Sequence, residues 1–202
     1  DPADCGPACL SLCQDIQGEI FDYPEEFFKE RVHTIRRPRP DDFQIQQAAE
    51  KIKKSKYPII ISGGGIFYSE AMNELGDFAT KHNIPVTQTV MGYSTMKRDH
   101  PYFVGPIGGL GGRAANSLAK QTDMAIAVGT KLGDFTTGSW ANFENPDFQL
   151  VAINVARFDA SKHMAQSVIG DGKVSLIELS AALGDWNASD NWYQKARTEL
   201  KA

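Results

Sequence analysis

No run in the 202 residues approaches the roughly 20 consecutive apolar positions that a membrane helix requires, which excludes a membrane span from this reading. Basic charge is scarce as well. Lys and Arg number 21 against 25 Asp and Glu, a net charge of −4, so a non-specific grip on nucleic acid is not expected. Cysteine occurs three times, at Cys5, Cys9 and Cys13, with no CxxC pair and no neighbouring histidine. That is too little for a disulfide framework and the wrong spacing for zinc; the three are expected as small apolar residues facing a core from a short buried strand at Pro7 to Cys13. There is no G-x-S-x-G elbow, and His33, His82, His100 and His163 are scattered, so no Ser-His-Asp triad can be drawn. No two carboxylates have surroundings that would split their pKa values. The stretch Asp1-Pro2-Ala3-Asp4 carries no charged, apolar leader and does not start with Met, so the expectation is a cytoplasmic chain excised from a longer one.

What is present is ordinary globular composition, 42% apolar and 23% charged, in a chain long enough for one sizeable α/β domain. Arg31 to Pro40, RVHTIRRPRP, follows no hydrophobic period and reads as a solvated connector, which sets a boundary near residue 40. Asp41-Asp42 can cap a helix whose apolar positions Phe43, Ile45, Ala48, Ala49 and Ile52 recur at helical spacing. Strands are expected at Ile59 to Ser62, Ile84 to Thr89, Met124 to Val128 and Gln149 to Val155. Helices are expected near Ser69 to Lys81, Arg113 to Lys120, Val174 to Leu183 and Trp192 to Leu200. This alternation predicts a Rossmann-like parallel sheet with helices on both faces.

Three glycine clusters fall where strands should end: Gly63-Gly64-Gly65, the Gly105 to Gly112 run, and Gly129 with Gly133. Glycine there can bring backbone N–H groups close to a phosphate or a flavin, or it can supply tight turns and close packing. Gly109-Leu110-Gly111-Gly112-Arg113-Ala114 fits G-x-G-x-x-G/A, but no strand is evident before it and no acid follows at about 20 residues, so it is a weak dinucleotide signature. Gly170-Asp171-Gly172 reads as a turn with Asp171 capping the next helix. The residues thus describe a ligand crevice without chemistry of its own.

The order of the motifs is more telling. YPIIISGGG, NIPVTQT, MGYS, DHPYFVG, TDMAIAVGTKLGDFTTGSW and AINVARFDASKH, after a Pro/Arg linker, resemble the middle domain of thiamine diphosphate-dependent enzymes. QDIQGEIFDYPEEFFKERVH, GTKLGDFTTGSW and INVARFDASKH are similar to the ring-opening C–C hydrolases of that family, which act on a cyclic dione in myo-inositol catabolism. The resemblance implies that residues 1–40 are the tail of a pyrimidine-binding domain plus a linker, 41–185 the middle domain, and 186–202 a linker helix toward a diphosphate-binding domain. It implies that thiamine diphosphate and magnesium belong to the full-length homo-oligomeric enzyme and are not bound by this chain, which has no catalytic residue. In these enzymes Gly-Asp-Gly opens the metal-diphosphate motif, but Asn187 and Asn191 come too early and unpaired, so Asp171 keeps its structural role. Acetolactate synthase-like relatives hold FAD at positions matching Gly63, Gly64, Gly65, Met91, Gly92, the Gly105 to Gly112 run and the segment GTKLGDFTTG, which includes Gly129 and Lys131. Here Lys131 replaces their arginine and Ile153-Asn154-Val155-Ala156 lacks their acids, so FAD is not expected and the crevice is read as vestigial. The alternative is an FAD- or adenine-nucleotide-binding domain of the acetolactate synthase type.

Overall fold

The structure, a computed structural model, describes residues 2–4 and 6–201. Helix α1, Asp42–Lys54, begins where Asp41 accepts hydrogen bonds from the N–H groups of Phe43 and Gln44 at 3.0 and 3.2 Å and ends among Lys51, Lys53 and Lys54, favourable charges for its carbonyl end. Ile45, Ala48, Ala49 and Ile52 are its buried face, as their spacing dictates. Then follow strand β1 (Pro58–Ser62), the one-turn helix α2 (Gly65–Tyr68), α3 (Met72–His82), β2 (Val86–Gln88), β3 (Phe103–Pro106) and α4 (Arg113–Gln121). The second half holds β4 (Met124–Val128), the short α5 (Asp134–Thr137), β5 (Gln149–Asn154), the short α6 (Arg157–Ser161), β6 (Gln166–Ile169), α7 (Gly172–Leu183) and α8 (Asp190–Lys201).

All six strands pair in parallel, in the order β3-β2-β1-β4-β5-β6, with Ile60 opposite Val86 on one side and Ile126 on the other. Strands buried on both faces must be apolar throughout, and PIIIS and MAIAV are fully buried. Ile60, Ile126 and Val151 meet α1, α3 and α7 on one face; Ile59, Ile61 and Ala127 meet α4 and α8 on the other. Trp192 of α8 is 2% exposed, and its indole N–H donates to the Pro58 carbonyl at 2.8 Å, so this helix is part of the packed body.

Four expectations need correction. Residues 7–13 form no strand; Cys9 and Cys13 are exposed free thiols, and Cys5 lies outside the described residues. An extended segment with no neighbouring strand has nothing to pair with. Two short strands, β3 and β6, went unread. β3 precedes the Gly109 motif, so a strand does lead into it, although a loop intervenes before α4. The connector is not solvated throughout: Arg37 and Pro38 are half-buried and Pro40 is buried, because this end of the linker is bonded to the turn before α7.

A switch-point crevice at the carboxyl edge of the sheet

Leaving β1, the chain builds β2 and β3 on one side and then returns to place β4 on the other. The loops after β1 and β4 therefore diverge, and a crevice opens between them. It measures about 1200 Å³, and its wall is mostly apolar. Gly64, Gly65, Met91, Gly129 and Lys131 line it; Gly63 and Gly92 do not.

The glycines explain the shape. A Cβ on Gly63 would stand 2.3 Å from the Gly129 carbonyl oxygen, and one on Gly65 would stand 2.6 Å from Gly129 Cα. Gly129 itself sits at φ +62°, in the left-handed region. Gly63 N–H donates to Val128 O and Gly65 N–H to Gly129 O, both at 2.9 Å, and Gly129 N–H donates to Ile153 O at 2.9 Å. These N–H groups join the end of β1 to the end of β4, and that of β4 to β5. They are not available to cradle a phosphate, and the four-residue α2 behind them has little dipole to offer. Gly92 is buried against Ser62, and Met91 projects its side chain into solvent at the rim.

The remaining polar groups are similarly engaged. Asn154, at the end of β5, donates through Nδ2 to Thr130 O at 3.2 Å and accepts from Ala156 N–H at 3.0 Å. It ties the loop after β4 to the loop after β5 at the wall of the crevice. The Lys131 carbonyl accepts from Lys162 Nζ at 3.1 Å, and Lys162 pairs with Asp159 at 2.7 Å. Asp171 accepts from the N–H groups of Lys173 and Val174 at 3.0 and 3.3 Å through one oxygen, and from Arg37 at 3.1 Å through the other. The expectation of a turn and helix cap holds. A carboxylate so occupied does not suit a magnesium ion, and among the described residues no group of three or more His, Cys, Asp or Glu side chains could hold a metal. Asp171 is therefore engaged within the fold and is not free to open a metal–diphosphate site.

One side of the crevice is covered by the segment that leads into α1. His33, Thr34, Ile35 and Arg36 line it, and Arg37 fixes their path by donating to Ser69 O at 2.7 Å and pairing with Glu70 at 3.2 Å and with Asp171. A sequence period cannot report a segment that is placed by long-range ion pairs. Trp140 and His163, from the loops after α5 and α6, pack with centroids 4.3 Å apart and planes tilted by 56°, and burial together with the Lys162 charge pushes the His163 pKa below its ordinary value.

The family model for the thiamine pyrophosphate enzyme central domain matches residues 45–179. A 3D-(3,5/4)-trihydroxycyclohexane-1,2-dione hydrolase of Clostridium perfringens (strain 13 / Type A) is 48% identical over 202 residues, covering 100% of this chain and 32% of that protein. Its counterpart in Clostridium tetani (strain Massachusetts / E88) is 44% identical over 202 residues, covering 98% of this chain and 31% of that protein. The chain thus spans about a third of the length of the curated relatives it matches. A solved structure from Mycobacterium smegmatis, described as a thiamin diphosphate-dependent enzyme, aligns with a TM-score of 0.61 at 20% identity over 77% of this chain and 30% of that one, a likeness of fold.

Proposed function

This chain belongs to the thiamine pyrophosphate enzyme central-domain family, and from that premise we propose that it is the middle domain of a ring-opening hydrolase acting on trihydroxycyclohexane-1,2-dione. The full-length enzyme yields 5-deoxyglucuronate in myo-inositol degradation, as a cytoplasmic homo-oligomer. Thiamine diphosphate and magnesium would be held by the flanking pyrimidine-binding and diphosphate-binding domains, where the organic cofactor would supply the nucleophilic carbon for C–C cleavage and the metal would anchor its diphosphate. In this division residues 1–40 bring the chain in from the preceding domain, 41–185 form the central domain, and 186–202, although packed on the sheet through Trp192, lead on toward the next. The chain is a scaffold without a catalytic residue. The observation that carries this reading is the 48% identity to the hydrolase across the whole of the chain.

The crevice favours a second reading, a flavin or adenine-nucleotide site around Gly63, Gly64, Gly65, Met91, Gly92, Gly129 and Lys131, because its 1200 Å³ would accommodate such a ligand. The engagement of Gly63, Gly65 and Asn154 within the protein speaks against it, and the enzyme is expected to work without FAD. The test is dione ring opening by the full-length protein supplied with thiamine diphosphate and magnesium, beside the 202-residue chain alone. Turnover by the former and none by the latter is expected. The thermal midpoint of the short chain should not move with thiamine diphosphate and magnesium, FAD or ADP; a rise with FAD or ADP, which a ligand selective for the folded state must produce, would favour the second reading.

A further inference from the structure

Residues 6–35 are exposed throughout, and their hydrogen bonds join only positions at most five apart, such as Gln17 to Leu12 and Lys29 to Glu26. Two single-turn 3-10 segments, Ile16–Gly18 and Glu25–Phe28, are the regular structure in it. Within this arm Phe21, Tyr23, Phe27 and Phe28 gather into one cluster, with centroids 5.3 Å apart for Phe21 and Tyr23, 4.9 Å for Tyr23 and Phe27, and 5.3 Å for Phe27 and Phe28. Each ring is more than half exposed, and Ile20 beside them is wholly so. At 54–71% exposure the four rings together leave several hundred Å² in water, a patch size that on a soluble protein often marks a contact site.

We propose that this aromatic cluster is an interdomain docking surface, covered in the full-length enzyme by another domain of the same polypeptide. The inference rests on the reading of the chain as the central part of a longer enzyme. Three observations select this occupant. The family model begins at residue 45 and leaves the arm out, whereas the likeness to the dione hydrolase runs over all 202 residues and so includes it. That relative has about two thirds of its length outside the region matched, which is ample surface to receive the arm. The arm is also covalently continuous with that polypeptide, and tethering gives an effective concentration of about millimolar, which a separate copy in dilute solution does not have. The acids flanking the rings, Asp15, Glu19, Asp22, Glu25 and Glu30, with Glu26 already paired to Lys29, call for a receiving surface apolar at its centre and basic at its rim.

The test compares amide hydrogen exchange of residues 16–28 in the full-length enzyme and in the 202-residue chain, together with the thermal midpoints of the Phe27→Ser/Phe28→Ser double variant in both. Expected are at least tenfold slower exchange in the full-length enzyme, independent of its concentration, and a midpoint lowered by several degrees in the full-length enzyme but unmoved in the short chain. Exchange equally fast in both, or an equal midpoint change in both, overturns the proposal. Protection that vanishes on dilution to the monomer also overturns it, since the cover would then be a second copy. Dione turnover is measured separately: a protected arm in an enzyme that opens no dione would sink the functional reading and leave the docking surface standing.

Discussion

In the sheet body, Ile59, Ile60 and Ile61 are completely buried; in the arm, Leu10, Ile20 and Phe28 stand in solvent. The two regions do not differ in kind of side chain so much as in opportunity. β1 has a paired strand on each side and helices over both faces, whereas the described residues 6–30 make hydrogen bonds only to one another. Apolar character drives burial only where backbone groups can pair at the same time.

That contrast can be broken first at its strongest point. Replacing Trp192 by alanine should destabilise the chain by about 3–5 kcal/mol, read from urea unfolding, because a large cavity opens against β1 and the Pro58 carbonyl loses its donor. A loss under about 1 kcal/mol would place α8 outside the body. Gly63→Ala should cost about 1–3 kcal/mol, since its methyl would collide with Gly129 O and backbone must shift. Arg37→Ala should cost about 1.5–3 kcal/mol and speed proteolysis at residues 36–40, because Asp171, with its side chain 6% exposed, loses its charged partner.

A smaller effect is expected from pH. His82 is buried at the end of α3; its Nδ1–H donates to Trp186 O at 2.6 Å, and Nε2 accepts from the Ser180 hydroxyl at 2.9 Å. Burial holds its pKa below the ordinary 6.5, ahead of the opposing backbone hydrogen bond. The folded state therefore takes up a proton less readily than the unfolded one. Stability contributed by the neutral ring is present above pH 6.5 and is lost as pH falls below it toward the depressed value. A His82→Gln variant should show a flatter fall of the urea midpoint between pH 7 and 5 than the parent chain. The smallest effect belongs to the arm: in the 202-residue chain Phe27→Ser/Phe28→Ser should change stability by less than about 0.5 kcal/mol, and a larger loss would show that the arm packs on the body after all.

The central strands were legible because burial on both faces demands unbroken runs such as PIIIS and MAIAV, which resemble nothing else in the chain. β3 and β6 escaped notice because each spans four residues at an edge of the sheet, one ending at Gly105-Pro106 and the other opening on Gln166-Ser167. The same features that mark a turn or a surface also suit a short edge strand. Residues 7–13 misled in the other direction, since small and apolar residues in alternation suggest a strand whether or not a neighbour exists. At the crevice, the clustering of Gly64, Gly65 and Gly129 was visible in their positions at strand ends. That Gly63 and Gly65 face another peptide rather than open space was not, because a close approach of two backbones leaves the same residue type in either case.

The Arg37 ion pairs carry one further consequence, a mechanical one. They stand at the point where an unsupported stretch of chain meets a rigid block, much as a clamp grips a cable where it enters a housing. A pull on the N-terminal side is met at Asp171 and Glu70 before it can reach α1 and the sheet behind it.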